Sequence, residues 1–430
     1  MFERLFKLNE HGTNVKTEVM AGITTFLTMS YIIVVNPNIL SSTGMDHGAI
    51  FVATCLAAIV GTLVMAFVAN WPIGMAPGMG LNAFFAFTVV ASLGATWQVA
   101  LGAVFISGII FLILTATGIR GWIIDGIPRS LRAAIVAGIG LFLAIIAMMN
   151  AGIVVEHPAT KIGIGDLTQP TALYAIFGFL LITALDALRI RGAILIGILL
   201  VTGVATLMGH NDYQGIFSFP PSVAPTFLQL DIMGALHMGL AHVILVLVLV
   251  EVFDATGTML GVAKRAKLIS DDNPGRLGRA LFADSTAIVA GSLIGTSSTT
   301  AYVESASGVQ AGGRTGLTAL TIAGCFLLAL FFAPLAKMVP AYATAPALLY
   351  VAGLMLREVA EINWEDMTEA APAAITAITM PFTYSIANGL AFGFISYVII
   401  KLLTGQFRAI HPATAIVAIL FIIKYAFFPD

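Results

Sequence analysis

Long apolar segments follow one another along nearly the whole chain, and this feature constrains the fold more than any other. A helix that crosses the hydrocarbon core of a bilayer needs about 20 mostly apolar residues, and about fourteen segments have that character. Only 10% of the residues are charged, whereas about 25% are charged in soluble domains. Because backbone polar groups in lipid must be satisfied within the protein, the sequence predicts an all-α polytopic membrane protein.

Two segments have a composition that does not suit a lipid-facing helix. The stretch GTSSTTAYVESASGVQAGGRTG, residues 295–316, is rich in Gly, Ser and Thr and contains Glu304. A carboxylate at the bilayer centre costs about 2.5–3.5 kcal/mol on insertion scales, so we expect this stretch to be buried or to line a cavity. The stretch WPIGMAPGMGLNAFF, residues 71–85, contains two prolines and Asn82. Interrupted segments at corresponding positions of two halves indicate a midplane binding site between inverted repeats.

A Pro-rich polar stretch without Lys or Arg divides the apolar segments into two sets. We therefore expect a first repeat at residues 1–209, an external linker at 210–233 and a second repeat at 234–430. Seven segments in each half would place the two repeats in opposite orientations. Residues 370–403 leave the count open, because this region is too long for one crossing and short for two.

The distribution of Lys and Arg predicts the orientation. If the N-terminus is cytoplasmic, nearly all basic residues fall on the inner side of the membrane, as the positive-inside rule requires. The exceptions are Lys161 and Lys337, which fall outside, and Lys401, Arg408 and Lys424, which depend on the count at 370–403. We expect a multi-pass protein with a cytoplasmic N-terminus.

Two acids three residues apart lie in the apolar stretch AHVILVLVLVEVFDATGTML. At this spacing Glu251 and Asp254 share one face of a helix. Buried acids in membrane segments mark substrate and proton pathways, so we expect one of them to hold the substrate while the other takes up a proton. The alternative is a helix end with solvated acids, or acids paired with Lys264 or Arg265.

The broken segments supply further candidates for the site. The free N–H groups of a helix that begins inside the membrane can serve carbonyl oxygens or ring nitrogens of a ligand. Glu304 and Asn82 are predicted substrate ligands; the alternatives are pairing with Arg314 for Glu304 and an interhelical hydrogen bond for Asn82. Asp284 is a third candidate for proton coupling, or else a packing polar group. The candidate supporting residues are Thr25, Thr28, Thr258 and Ser305.

Enzymatic and metal chemistry are not indicated. Ser297, Ser298, Ser305 and Ser307 lie in no G-x-S-x-G motif, and no H-E-x-x-H motif is present. None of the seven histidines pairs with another at i,i+4 spacing. We expect no enzyme, no metal and no cofactor beyond a coupling proton. A net charge of −2 predicts nothing about nucleic acid, and none is expected as a partner.

The stretches APGMGLNAFFAF, EVFDATGTMLGVA, ALFADS and GTSSTTAYVESASGVQAGGRTGLTA together resemble signature segments of the AzgA-like branch of the nucleobase:cation symporter-2 family, the bacterial purine permeases. This resemblance implies a homodimer of fourteen-segment chains in the inner membrane. It also implies a core domain of segments 1–4 and 8–11, and a gate domain of segments 5–7 and 12–14. The family's purine-contacting acid corresponds to Asp254, its segment-ten glutamate to Glu304 and its polar position in segment three to Asn82. Glu251 lies where the family varies.

Proton-coupled uptake of free purine bases is therefore the expected function, with guanine and hypoxanthine as the expected substrates. Guanine presents N1–H and N2–H to a carboxylate, whereas adenine presents an acceptor at N1, and buried mismatches of this kind discriminate strongly. An adenine-preferring or broad purine permease is the alternative, and an anion transporter or channel on the same architecture is a more remote one. In the expected gate, small residues such as Gly138 and Gly353 would permit sliding contact.

Overall fold

The computed structural model describes residues 2–237, 240–269 and 276–427. In the first half the helices are α1 Phe2–Phe6, α2 Val15–Met29, α3 Ile32–Ser41, α4 His47–Val64, α5 Met79–Ala83, α6 Trp97–Ala116, α7 Ile119–Gly126, α8 Arg129–Asn150, α9 Pro170–Ala187 and α10 Ala193–Leu207. In the second half they are α11 Ile232–His237, α12 Ala241–Arg265, α13 Leu277–Ile294, α14 Ser305–Gln310, α15 Gly316–Ala329, α16 Ala333–Met338, α17 Ala341–Met355, α18 Met367–Phe382, α19 Ile386–Leu403 and α20 Pro412–Phe427.

Shorter elements connect or extend these helices. The π-helical turns Met65–Ala69 and Phe84–Ser92 continue α4 and α5, and the 3₁₀ turns are Leu330–Phe332, Leu356–Glu361 and Phe407–Ala409. The strands are β1 Met75–Pro77, β2 Val154–His157, β3 Lys161–Ile164 and β4 Thr299–Ala301. Within the described ranges, ten helices are long and apolar enough to cross a membrane, which agrees with the predicted all-α polytopic fold.

Polar side chains fix where several helices begin. The Asn14 side chain accepts a hydrogen bond from the Thr17 amide at the start of α2, and Asp46 accepts one from the Ala49 amide at the start of α4. These bonds satisfy amide groups that have no partner within the helix. We call the end of the bundle with residues 117–128 and 188–192 the basic face, and the end with residues 208–231 the linker face.

The helices form two groups, and the helices of each group pack against one another. In the core group, α13 packs against α4 and α6, and α15 packs against α2 and α4, while α12 packs against α6. In the gate group, α8 packs against α17 and α18, α9 packs against α10 and α17, and α18 packs against α19. The helix α12 also contacts α8 and α19, so it lies where the core group meets the gate group.

The two broken segments meet at a buried pair of short strands. β1 and β4 are antiparallel, with Ala76 opposite Thr300 at the centre of the register. The Gly78 amide donates to the Ser298 carbonyl at 2.9 Å, and the Tyr302 amide donates to the Gly74 carbonyl at 3.0 Å, which extends the pairing beyond the strands. Non-helical backbone at membrane depth is tolerated only where protein satisfies it, and this pairing does so.

The region that left the segment count open contains two helices. Residues 370–403 fall in α18 and α19, which are separated by the three residues from Thr383 to Ser385. Ser385 caps the second helix, because its side chain accepts from the Asn388 amide. The question that the sequence left open at residues 370–403 is therefore resolved as two helices.

Candidate functional site

The crossing of β1 and β4 brings the predicted ligands of the two broken segments into one region. The helix α5 begins just after β1 and carries Asn82, while α14 begins just after β4 with Glu304 at its N-terminal cap. Each half-helix therefore starts from the crossing. The partial positive charge at each helix start lies near the crossing, where it favours polar or negative ligand atoms.

Glu304 is held by a residue of the first membrane segment. The hydroxyl of Tyr31 donates to Glu304 Oε1 at 2.6 Å, across 273 residues of chain. Tyr31 is buried at the break between α2 and α3. The alternative partner, Arg314, instead donates from Nη1 to the carbonyls of Val309 and Gly313 at 2.7 and 2.6 Å. Glu304 thus has a neutral hydrogen-bond donor beside it.

A second tyrosine completes this wall of the site. The hydroxyl of Tyr302 donates to the Pro77 carbonyl at 2.6 Å, so it ties the end of β4 to the end of β1. The rings of Tyr31 and Tyr302 lie with centroids 6.5 Å apart and planes inclined by 46°. The two aromatic rings therefore border the carboxyl group of Glu304 on the side of the crossing.

Two consecutive serines in the second broken segment reach two of the predicted ligands. Ser297 Oγ donates to Asn82 Oδ1, and Ser298 Oγ donates to Glu251 Oε1. Within the described ranges, Asn82 Nδ2 and Glu251 Oε2 are buried without a hydrogen-bond partner. A buried polar atom without a partner costs free energy unless a ligand or proton satisfies it. Asn82 therefore offers a donor, and Glu251 offers an oxygen.

The acids of α12 are not at a helix end. Glu251 is 0% exposed and lies near the middle of α12, and Asp254 is half-buried one turn further along the same face. Asp254 lies close enough to Asp284 and Glu304 to interact with them electrostatically. Asp254 therefore lies within electrostatic range of one acid at the crossing and of one acid on α13.

Asp284 has a cation of its own. Arg120 Nη2 lies 3.3 Å from Asp284 Oδ2, and both side chains are buried. Thr300 Oγ1 donates to Asp284 Oδ1 at 3.4 Å. A buried carboxylate paired with a guanidinium remains charged because each charge compensates the other. Asp284 therefore differs from Glu304, whose partner is neutral.

The four predicted supporting residues have different surroundings. Thr28 shares a hydrogen bond of 3.0 Å with Ser307, which joins α2 to α14, and Ser305 Oγ accepts from the Gly74 amide at 3.0 Å. Thr25 Oγ1 is buried without a partner among the described residues. Thr258 is half-buried and lies one turn beyond Asp254 on α12. Thr28 and Ser305 thus hold the broken segments in place.

A cavity of about 490 Å³ opens beside the site on the basic face. It lies between α12, α8 and the turn that follows α17, and it borders α12 at Phe253 and Thr256, on either side of Asp254. Toward the linker face, Tyr384 of the gate group packs against Phe87 of the core group with ring centroids 6.3 Å apart. Thr88 Oγ1 also donates to the Tyr384 carbonyl at 3.3 Å. The core and gate groups are therefore in contact toward the linker face at this point, and a cavity separates α12 from α8 toward the basic face.

Sequence reasoning did not identify three residues of this region. Tyr31 and Tyr302 contact the broken segments, and Arg120 was assigned only to a basic loop, although it is 1% exposed. Tyr31 lies at the break of the first membrane segment, and Tyr302 lies two residues before Glu304, so the sequence position of each gave only a weak signal. Arg120 gave none, because its partner Asp284 is 164 residues away. Among the described residues no group of three or more His, Cys, Asp or Glu is placed to hold a metal ion.

Comparisons with known proteins agree with this arrangement. The model of the Xan_ur_permease family, described as a permease family, matches residues 16–392. The adenine permease AdeP of Escherichia coli (strain K12) is 50% identical over 428 residues, which cover 99% of this chain and 96% of AdeP. The guanine/hypoxanthine permease PbuO of Bacillus subtilis (strain 168) is 43% identical over 428 residues, which cover 98% of this chain and 99% of PbuO.

A solved structure shares the fold. The transmembrane domain of the cyanobacterium bicarbonate transporter BicA aligns with a TM-score of 0.67 and covers 87% of this chain and 97% of that domain. At 17% identity this likeness concerns the fold alone, and it confirms the expected arrangement of core and gate. The family match over most of the chain and the permease relatives show that the chain belongs to the xanthine/uracil permease family, among the nucleobase:cation symporter-2 permeases that its motifs resemble.

Proposed function

We propose that this protein takes up a free purine base together with a proton, and that adenine is the preferred base. The observation that carries the proposal is the group at the crossing of the broken segments, where Glu304, Asn82 and two tyrosines surround one buried region. A planar base with donors and acceptors along its edges suits such a region, because aromatic rings border it and polar atoms fix its orientation.

The hydrogen-bond partners define which ligand atoms fit. Tyr31 occupies one oxygen of Glu304, so the second oxygen remains to accept from an N–H of the base. Ser297 occupies the oxygen of Asn82, so the amide N–H₂ remains to donate to a ring nitrogen or carbonyl. One acceptor and one donor match the N6–H and N7 atoms of adenine, and they also match the N1–H and O6 atoms of guanine and hypoxanthine. Buried groups of this kind reject a ligand that leaves them unpaired.

The relatives support adenine over the bases expected from the sequence. AdeP, an adenine permease, is 50% identical to the chain, and PbuO, a guanine/hypoxanthine permease, is 43% identical. Guanine and hypoxanthine form the second candidate pair, because the half-buried carboxylate of Asp254 faces the same region and suits N1–H and N2–H donors.

Glu251 is the residue that we assign to the proton. Its Oε2 atom is buried without a hydrogen-bond partner in the described chain, and no salt bridge is formed to it there. A buried carboxylate without full compensation is costly, and a bound proton removes the charge. Glu251 and Glu304 each accept from a neutral hydroxyl, of Ser298 and of Tyr31, but Glu251 is fully buried whereas Glu304 is half-buried. Asp284 has the charge of Arg120 for compensation, so Glu251 differs from both. Asp254 is the second candidate, since it is half-buried on the same face of α12.

Transport follows from movement of the core group against the gate group. The cavity on the basic face and the contact of Tyr384 with Phe87 on the linker face describe one of the two states that alternating access requires. The other state would open the linker face. We place the protein in the bacterial inner membrane as a homodimer. The distribution of Lys and Arg supports a cytoplasmic N-terminus, and in this orientation the cavity opens to the cytoplasm.

An anion transporter is less well supported. An anion needs an uncompensated positive charge at the site, and the buried guanidinium of Arg120 is already paired with Asp284. Glu304 and Asp254 add negative charge to the same region of the described chain. The fold shared with BicA does not change this, because function depends on the site.

Uptake of labelled adenine in a host without its own purine transporters tests the proposal. We expect saturable uptake that a protonophore abolishes and that persists without sodium. Unlabelled adenine should compete more strongly than unlabelled hypoxanthine or guanine. Stronger competition by hypoxanthine and guanine would replace adenine by the second candidate pair, and uptake that requires sodium at a fixed proton gradient would contradict proton coupling.

A further inference from the structure

One short helix connects the two groups of helices. The helix α7 follows α6 of the core group and precedes α8 of the gate group. Its residues Ile119 and Trp122 are 42% and 43% exposed, as expected for a helix on the basic face, but Arg120 between them is 1% exposed. The side chain of Arg120 therefore leaves the surface and enters the core group.

Arg120 reaches three helices of the core group. Its Nε and Nη2 atoms donate to Thr256 Oγ1 of α12 at 3.1 and 2.9 Å, and Nη2 also pairs with Asp284 of α13 at 3.3 Å. The guanidinium lies 4.1 Å from the ring centroid of Phe111 on α6. The remaining nitrogen, Nη1, donates to the Leu281 carbonyl at 3.4 Å. The planar group is thus fixed by a charge, a hydroxyl, a carbonyl and a ring.

The other end of α7 is held by a helix at the gate side. Thr414 Oγ1 of α20 donates to the Gly126 carbonyl at 2.6 Å, and the Trp122 ring lies 5.2 Å from the His411 ring. A side chain at position 126 would collide with His411, so this end is in close contact. The first residues of α7 are thus held by the core group through Arg120. Its last residues are held by α20, which packs against α19 of the gate group.

We infer that Arg120 is a positioning residue that couples the proton on the α12 carboxyls to the movement between core and gate. This inference rests on the proposed proton symport. The groups that face Arg120 are Asp284 and the Leu281 carbonyl on α13, Thr256 and Glu251 on α12, and Phe111 on α6. Asp254 on α12 and Thr300 on β4 face Asp284, the partner of Arg120.

The physical reason is the balance of charge around one guanidinium. Glu251 lies within electrostatic range of both Arg120 and Asp284. A proton on Glu251 removes one negative charge from this group, so it weakens the attraction that holds Arg120, and with it α7, against the core. Loss of the proton strengthens the attraction again. The position of α7 thus follows the protonation of Glu251.

The test compares exchange with proton-driven accumulation in proteoliposomes. Arg120→Gln alone leaves Asp284 as an unpaired buried charge, so the variant to use is Arg120→Gln with Asp284→Asn, which removes both charges. We expect this double variant to exchange internal for external adenine within about twofold of the parent, because the amide of Asp284→Asn keeps an oxygen that can accept from Thr300 of β4. It should lose about tenfold in accumulation and lose its dependence on pH. Arg120→Lys keeps the charge without the planar fork, so it should retain part of the accumulation and of the pH dependence.

Two further variants keep the test decisive if the double variant does not fold. Thr414→Val removes the hydrogen bond to Gly126 at the far end of α7, and Thr202→Val is the matched control, a buried threonine of α10 that bonds only its own helix at 2.8 Å. We expect Thr414→Val to lower accumulation more than exchange and Thr202→Val to change neither.

Parental accumulation and pH dependence in the double variant, or in Thr414→Val if the double variant does not fold, would overturn the inference. Equal loss of exchange and accumulation in a folded variant would also overturn it, since Arg120 would then belong to the purine site. A parent protein that transports adenine without any proton dependence would contradict the proposed function itself, whatever the variants do.

Discussion

Glu304 and Asp284 are two acids of the same membrane interior, and their partners differ. Glu304 accepts a hydrogen bond from the neutral hydroxyl of Tyr31, while Asp284 is paired with the guanidinium of Arg120. The first carboxyl keeps an oxygen for a ligand, and the second is used within the protein. The comparison teaches that the partner, and not burial alone, decides whether an intramembrane acid is available to a substrate.

The largest expected effect is at Glu304. Glu304→Gln should weaken equilibrium binding of labelled adenine by about 100-fold, because it loses a charge-assisted hydrogen bond in a buried site. Asp254→Asn is the second variant, and it should weaken adenine binding as well if Asp254 contacts the purine as the family resemblance implies. Binding to purified protein measures this, with the exposed Glu10→Gln as the control for a lost carboxylate. Parental affinity in either variant would remove that residue from the set of ligands.

The expected effect at Asp284 is of a different kind. Asp284→Asn leaves Arg120 buried without its counter-ion, which should lower the free energy of unfolding by about 3–5 kcal/mol. Thermal unfolding in detergent should show the loss, and Arg120→Gln in the same chain should restore part of it. In the folded fraction, adenine binding should stay near the parental value. A variant that keeps its stability but loses binding would erase the distinction between the two acids.

A smaller effect is expected when the neutral partner of Glu304 is removed. Tyr31→Phe keeps the ring but loses the 2.6 Å hydrogen bond, so the carboxyl group is no longer held in one orientation. We expect adenine affinity to fall by about tenfold with little change in stability. Tyr302→Phe, which frees only a backbone carbonyl, is the matched comparison. Unchanged affinity in Tyr31→Phe would mean that Glu304 does not depend on Tyr31.

The smallest expected effect is a difference in uptake rate between variants at Gly138 and at Gly353, the two glycines of the expected gate. A Cβ at Gly138 would lie 2.6 Å from Met380 Sδ and 3.0 Å from Ala377 Cα, whereas a Cβ at Gly353 would meet nothing within 4 Å. Gly138→Ala should therefore slow uptake by about twofold to tenfold without changing adenine binding, and Gly353→Ala should leave both unchanged. These neighbours of Gly138 lie on α18, so its tight contact is packing within the gate group and not the expected sliding contact. Equal rates in the two variants would contradict an effect of this packing on transport.

Those glycines also show where sequence reasoning stops. Both lie in plain apolar segments and were expected to permit sliding contact, but only Gly138 lies in a tight contact. The helix periodicity identifies a small residue, whereas the helix that faces it is set by tertiary packing. The same limit applies to Arg120 and Asp284, because no local pattern links residues on α7 and α13.

Other features followed from local composition. The broken segments were visible because Gly, Pro, Ser and Thr interrupt apolar runs, and the structure pairs them as β1 and β4. The face shared by Glu251 and Asp254 followed from their spacing on one helix. The number of segments was left open at residues 370–403. Pro372 and Pro381 lie inside α18, and few residues separate α18 from α19, so hydropathy alone does not show the break.

The most direct test of the central claim is uptake of labelled adenine into proteoliposomes that contain only the purified protein. An inward proton gradient without sodium should drive accumulation above equilibrium in the parent, and the Glu304→Gln variant should show none. Release of the gradient should return the internal concentration to the external one. Accumulation that does not respond to the proton gradient, or that persists in Glu304→Gln, would contradict proton-coupled purine transport through the crossing of the two broken segments.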